Sequence, residues 1–170
     1  KSVPVYVSVA AWNWGAYLGD DAGNQGVRVC ISKWKRISPQ SFKPTAKGVG
    51  GYMNSTLAKV DAVENGYDDA IMLGDNDVVA EGSGQNLFLI KNGKIYTPPI
   101  ETGALGGITR KTVIDIAKST DIKVNERKIS PDELQNFTGC FITGTAAEIT
   151  PIASIQDYKF EVCDLILDLS

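Results

Sequence analysis

Apolar and polar residues alternate in short runs along most of the chain, and few stretches keep a helical spacing. Residues 3–9 (Val-Pro-Val-Tyr-Val-Ser-Val) alternate with β-branched side chains and predict a strand. Residues 27–31 and 69–73 predict two more, the second running into a turn at 74–77 (Gly-Asp-Asn-Asp). Residues 87–90 and 95–97 flank Asn92 and Gly93, the dipeptide of a tight hairpin. Further strands are expected over 122–129 and 140–143. Helical spacing is rarer. Leu57, Val60 and Val63 predict a helix over 54–64, stopped by Asn65 and Gly66. Val113, Ile114 and Ala117 predict another, beginning after Thr109. Ser130, Pro131 and Glu133 combine an N-cap serine, a first-turn proline and a capping-box glutamate, and so start a third. In the tail, Val162, Leu165, Ile166 and Leu169 fit a last amphipathic helix, with a strand as the alternative. Strands outnumber helices and a hairpin sits beside helical segments. The expected fold class is therefore α/β (α+β) with a mixed sheet, in a single domain over 1–170.

Composition narrows the function more than the fold. Of the 170 residues, 43% are hydrophobic and 22% charged, enough apolar content for a packed core. A net charge of -3 gives no electrostatic reason to expect nucleic acid or an acidic membrane surface as partner. No apolar run approaches the roughly 20 residues that span a bilayer. Residues 1–6 lack the apolar stretch of a secretory signal, so the expected location is cytoplasmic. Cys30, Cys140 and Cys163 are scattered and odd in number, as expected of small buried residues and not of disulfides or a metal site. The chain contains no histidine. That removes Ser-His and Cys-His nucleophile pairs, His-ligated zinc and the commonest general acid-base. Any chemistry here falls to lysine, carboxylates, tyrosine, threonine or a cofactor, and no metal is expected.

Four glycine-marked segments stand out: 45–55 (Thr-Ala-Lys-Gly-Val-Gly-Gly-Tyr-Met-Asn-Ser), 80–88 (Ala-Glu-Gly-Ser-Gly-Gln-Asn-Leu-Phe), 106–110 (Gly-Gly-Ile-Thr-Arg) and 143–151 (Thr-Gly-Thr-Ala-Ala-Glu-Ile-Thr-Pro). Glycine clusters let a backbone turn sharply or approach a ligand closely, and polar residues beside them suggest a loop-built site on a sheet scaffold. None has the spacing of a Walker loop or a dinucleotide fingerprint. Taken singly, Lys47 is a solvated loop lysine, Glu81 a loop carboxylate and Thr109 a helix cap.

As an ordered set, these segments resemble the fold-type IV (class IV) pyridoxal-phosphate-dependent aminotransferases, most of all the branched-chain amino-acid enzymes. The likeness runs from 14–19 (Trp-Gly-Ala-Tyr-Leu-Gly) through Pro151. It implies the mixed-sheet large domain of the D-amino-acid aminotransferase-like fold, with pyridoxal 5'-phosphate as cofactor. On it, Lys47 carries the cofactor as a Schiff base, Tyr52 faces the phenolic oxygen, and Glu81 pairs with the ring nitrogen, with Gly82 and Ser83 beside it. Ile108, Thr109 and Thr145 hold the phosphate. Thr145 with Ala146 receives the substrate carboxylate, and Trp14 and Tyr17 wall the side-chain pocket. The implied substrates are small amino acids and 2-oxo acids, with transfer from a branched-chain L-amino acid to 2-oxoglutarate, and the implied assembly is a homodimer or higher homo-oligomer.

The residue types suit such chemistry. A free lysine, with a pKa of about 10.4, is a poor nucleophile at neutral pH and needs the cofactor to become useful. The ring nitrogen stays protonated only beside a carboxylate. A helix start presents unpaired N–H donors and a favourable dipole to phosphate.

Gly51 stands where the family usually has Asn, Gln85 where Glu is common, and Gly106 where Pro is usual. The family's N-terminal small domain, which supplies an arginine to the phosphate, and its C-terminal helix have no counterpart over 1–170, so a fragment of a longer protein is expected. A D-amino-acid aminotransferase, an aminodeoxychorismate lyase and a non-catalytic remnant are the competing expectations.

Overall fold

The computed structural model describes residues 3–13, 15, 17–19 and 21–169. A single helical turn, α1 (Ala22–Gln25), leads into β1 (Val27–Ile31). A loop and a 3-10 turn (Val49–Tyr52) feed α2 (Met53–Glu64), β2 (Asp69–Leu73) and β3 (Val79–Gly82). The hairpin of β4 (Asn86–Lys91) and β5 (Lys94–Thr97) is followed by α3 (Ile108–Ser119) and β6 (Val124–Glu126). Then come β7 (Gly139–Gly144), β8 (Glu148–Ile155), β9 (Tyr158–Lys159) and α4 (Asp164–Leu167). The strands form one mixed sheet in the order β3-β2-β1-β8-β7-β4-β5-β6, with β9 added on β8. β1 runs parallel to β2 and β8, and β5 parallel to β6; the other pairs are antiparallel.

Side chains alternate across a strand, and both faces of this sheet are covered. Leu87 and Leu89 of β4 join Val29, Ile71, Ile142 and Ile152 in one core cluster. Their neighbours Phe88 and Ile90 face the other way, against Phe141 and against Val113, Ile114 and Ala117 of α3. At the other end of the sheet, Ala70 and Met72 pack on Ala58 and Ala62 of α2. Burial on both faces is why β2 and β4 read as nearly unbroken apolar runs. Phe88 and Phe141 sit opposite each other in register, with ring centroids 5.0 Å apart and planes 5° from parallel. The Asn92-Gly93 turn closes the hairpin as expected, with Asn92 at φ 52°.

Several expectations need correction. Residues 3–9 join no sheet, and Val3, Val5, Tyr6, Val7 and Val9 are 83–94% exposed, so the alternation there has no strand to pair with. The expected strand over 122–129 shrinks to β6. Ser130 starts a 3-10 helix, Pro131–Asn136, whose first turn is held by the Ser130 N–H donating to Glu133 Oε1 at 3.0 Å. α3 begins at Ile108 with Gly107 as its cap residue, so Thr109 lies inside the first turn. The tail forms a helix, but only one turn of it. In α2 the inward face is Ser55, Ala58 and Ala62, while Leu57, Val60 and Val63 project outward. Small residues face the sheet there because the helix lies close to it, and this leaves the larger apolar side chains exposed.

Candidate active site

A cavity of about 1280 Å³ opens between the start of α2, the β3–β4 turn, the start of α3 and the β7–β8 turn. Each of the four glycine-marked segments contributes to its wall. Lys47 lines it from the loop ahead of the 3-10 turn, is exposed, and has no polar partner among the described residues. Tyr52 lines it from the end of that turn. Burial pushes the Tyr52 phenol up from its ordinary range, the nearby Glu81 pushes it further, and Arg36 opposes both. The hydroxyl therefore stays a donor at neutral pH. At Gly51 a Cβ would lie 2.9 Å from the ring of Phe42, so the family's usual asparagine would require that ring to shift.

Glu81 and Gly82 do not line the cavity. They are buried in β3, Glu81 at 4% exposure, one hydrogen bond behind the wall. Glu81 Oε1 pairs with Arg36 Nε at 3.0 Å. Its Oε2 accepts from Asn86 Nδ2 at 2.8 Å and from the Leu105 N–H at 3.0 Å, and Leu105 does line the cavity. Burial raises the Glu81 pKa to about 7, against the lowering effects of Arg36, the Leu105 N–H and Arg110. A carboxylate has about four acceptor positions. Two hydrogen bonds reach Oε2, while Arg36 pairs with Oε1 by charge with its Nε–H donated to the Gly103 carbonyl, so acceptor capacity remains for a further donor.

Ser83, by contrast, does line the cavity. Its hydroxyl donates to Asp69 Oδ1 at 2.6 Å, while Gln85 Nε2 donates to Asp69 Oδ2 at 3.0 Å and Lys59 Nζ lies 3.2 Å from the same oxygen. The amide of Gln85 suits this site, because a glutamate there would set a second carboxylate beside buried Asp69.

Ile108 and Thr109 occupy the first turn of the 12-residue α3, where backbone N–H groups lack intrahelical partners. Gly107 ahead of them is held closely: a Cβ would fall 2.3 Å from Asn86 Oδ1. Thr145 and Ala146 sit exposed at the tip of the β7–β8 turn. The Thr143 hydroxyl braces that turn by donating to the Glu148 carbonyl at 2.5 Å, as does the Thr150 hydroxyl to the Ala147 carbonyl at 2.7 Å. Tyr17 lines the cavity with Lys59 Nζ 6.0 Å from its ring centre, and Trp14 lies outside the described residues.

Arg36, Asn86 and Asp69 are the functional candidates that the sequence did not mark. Arg36 sits in an ordinary basic loop, far from Glu81 along the chain, and only the fold joins them. Among the described residues no group of three or more His, Cys, Asp or Glu could hold a metal, and no helix is long and apolar enough to cross a membrane. Burial pushes the Cys140 thiol well above its ordinary range and raises Cys30 as well, so neither acts as a thiolate.

The same arrangement of elements occurs in known proteins. The family model described as amino-transferase class IV matches residues 1–155. A branched-chain-amino-acid aminotransferase of Pseudomonas aeruginosa is 44% identical over 159 residues, which are 94% of this chain and 52% of that protein. The crystal structure of the Escherichia coli branched-chain amino acid aminotransferase superposes with a TM-score of 0.91 at 38% identity, covering 94% of this chain and 54% of that one. The branched-chain amino acid aminotransferase of Thermobaculum terrenum, solved in its PLP-form, gives a TM-score of 0.81 at 38% identity, over 84% and 48% of the two chains. The chain thus spans about half the length of the relatives it matches. Its mixed sheet with flanking helices is that of the fold-type IV aminotransferases, and the chain belongs to the class IV aminotransferase family.

Proposed function

We propose that this chain is the pyridoxal-phosphate-binding large domain of a branched-chain amino-acid aminotransferase. The parent protein moves an amino group from a branched-chain L-amino acid to 2-oxoglutarate, in the cytoplasm and as a homodimer. The observation that carries this reading is a lysine, without a polar partner among the described residues, on the wall of one cavity that also takes in a helix start and two hydroxyl-bearing turns. The residues fit the cofactor. The Glu81 carboxylate just behind the wall supplies the acceptor that a protonated ring nitrogen requires, and the unpaired amides at Ile108 and Thr109 match a phosphate. When bound, pyridoxal phosphate supplies a ring that accepts the electron pair released at the substrate α-carbon.

The chain does the rest. Lys47 Nζ binds the cofactor covalently and, once displaced by substrate, holds and returns the migrating proton. The Tyr52 hydroxyl donates to the phenolic oxygen, and Glu81 keeps the ring nitrogen protonated. Thr109 and Thr145 donate hydroxyls to the phosphate. The braced turn at Thr145 and Ala146 orients the substrate carboxylate, and Tyr17 bounds the pocket for an aliphatic side chain. Similarity to branched-chain enzymes supports this substrate class. The exposed stripe of Met53, Leu57 and Val60 on α2 suits a dimer, since an apolar patch of that kind is usually covered.

The test is borohydride reduction of the pyridoxal-phosphate-treated protein followed by peptide mapping. The pyridoxyl group is expected on Lys47. Finding it on another lysine, or on none, would overturn the assignment.

A further inference from the structure

Arg36 is a largely covered cation that no part of the family likeness singled out, and its side chain reaches three partners. Its backbone N–H donates to the Leu73 carbonyl at 2.8 Å, fixing where the side chain starts. Nε lies 3.0 Å from Glu81 Oε1 and 3.2 Å from the Gly103 carbonyl, and Nη1 donates to Ser55 Oγ at 2.7 Å. Three separate segments meet on one guanidinium: β3, the loop leading to α3, and the first turn of α2, whose Ser55 lines the cavity. Both charged side chains are nearly out of water, at 9% and 6% exposure.

We propose that Arg36 is a positioning residue that holds Glu81 in one orientation and favours its anionic, hydrogen-bond-accepting form in the cofactor-binding protein. The claim rests on the cofactor reading only for what the open acceptor position receives. The groups facing Glu81 come from every element packed around it: Arg36 from the loop after β1, Tyr52 ahead of α2, Asn86 from β4, the Leu105 N–H, and Arg110 from α3. Arg110 is committed elsewhere, donating to Glu126 Oε2 at 2.7 Å and to the Pro98 carbonyl. Asn86 and the Leu105 N–H are neutral donors. Arg36 is therefore the cation in direct contact that offsets the cost of a buried charge. Without it, burial is opposed only by the Leu105 N–H and Arg110, so more of the carboxyl carries its proton at neutral pH and presents an O–H where a ring N–H needs an acceptor. A neutral partner of the same size would still fill the space, so packing alone does not require an arginine.

The test is done on the cofactor-free protein, so that failure of the cofactor assignment and failure of this proposal are separable. With 13C-labelled glutamate, the Glu81 carboxyl is titrated by NMR in the wild type, in Arg36→Lys and in Arg36→Met. Arg36→Met is expected to raise the Glu81 midpoint by at least one pH unit, a tenfold change in acidity, while Arg36→Lys recovers most of the difference. An unchanged midpoint in Arg36→Met overturns the proposal. The wild type alone gives a second measurement that does not depend on the variants folding. The 15Nε resonance of Arg36 should shift with the same midpoint as the Glu81 carboxyl carbon, and an Arg36 signal that stays flat through the Glu81 titration overturns the proposal equally.

Discussion

Glu81 shows how a site residue acts on the fold as well as on chemistry. Its pKa rises from 4.5 to about 7 on folding, chiefly through burial. The sign follows from linkage. A raised acid binds its proton more tightly in the folded state, so its stabilising contribution is full below pH 4.5 and is lost as pH climbs through about 7. The loss amounts to about 3 kcal/mol over that window. Denaturant unfolding of the cofactor-free protein at pH 4.5, 6 and 8 should show this decline in the wild type and a flatter profile in Glu81→Gln. Parallel profiles would mean that Glu81 does not titrate as a buried carboxyl. The same substitution separates anchoring from catalysis. A neutral amide leaves Lys47 and the phosphate contacts in place but cannot stabilise a ring cation. Turnover of the full-length parent should therefore fall by about a hundredfold to a thousandfold, the scale of one electrostatic catalytic contact, while cofactor affinity changes little. Wild-type turnover in Glu81→Gln would return Glu81 to an ordinary structural carboxylate. Glu81 was legible in the sequence because its motif is local. Arg36 and Asp69 were not, because a buried ion pair leaves no periodic trace and its partners meet only after the sheet has formed.

At the scale of elements, the signals that carried through were those with a complete local mechanism. The Asn92-Gly93 hairpin and the Ser130-Pro131-Glu133 start specify their own backbone geometry, whatever packs around them. The run over 3–9 has strand pattern but, among the described residues, no neighbour to complete its hydrogen bonds, and α2 inverted the expected packing because alanines allow a closer approach than leucine or valine. The start of α3 depends on both kinds of information. Its donor amides follow from any helix, but their placement depends on Gly107 lying against Asn86, whose amide also holds Glu81. Gly107→Ala is expected to force these apart, costing about 1–3 kcal/mol as an overpacked contact, and to weaken cofactor binding beyond that loss. Unfolding midpoints and a pyridoxal-phosphate absorbance titration measure the two effects. Unchanged cofactor affinity in a destabilised Gly107→Ala protein would detach the start of α3 from the cofactor site.

For the whole molecule, the cavity is large for the ligands it would take. About 1280 Å³ exceeds the range of roughly 300–1,000 Å³ common for small-molecule pockets. Its described wall offers the phosphate amides and hydroxyls but no guanidinium. Arg28 bonds the Gly66 carbonyl, while Arg36, Arg110 and Arg127 pair with Glu81, Glu126 and Glu133. The other lysine on the wall, Lys59, is held by Asp69. The relatives it matches are about twice as long, and on the proposed reading the full-length protein supplies a further wall and a further cation. Without those, electrostatic stabilisation weakens in wet surroundings, and substrate is held loosely at the distance where alignment matters most. The 170-residue chain, saturated with pyridoxal phosphate, is therefore expected to convert leucine and 2-oxoglutarate about a hundredfold or more slowly than the full-length parent, the penalty typical of misplacing reacting groups by about 1 Å. Its absorbance should still report cofactor on Lys47, because the lysine and its neighbouring donors are all present. Turnover matching the parent would show that these residues, alone or across a dimer, already enclose the site.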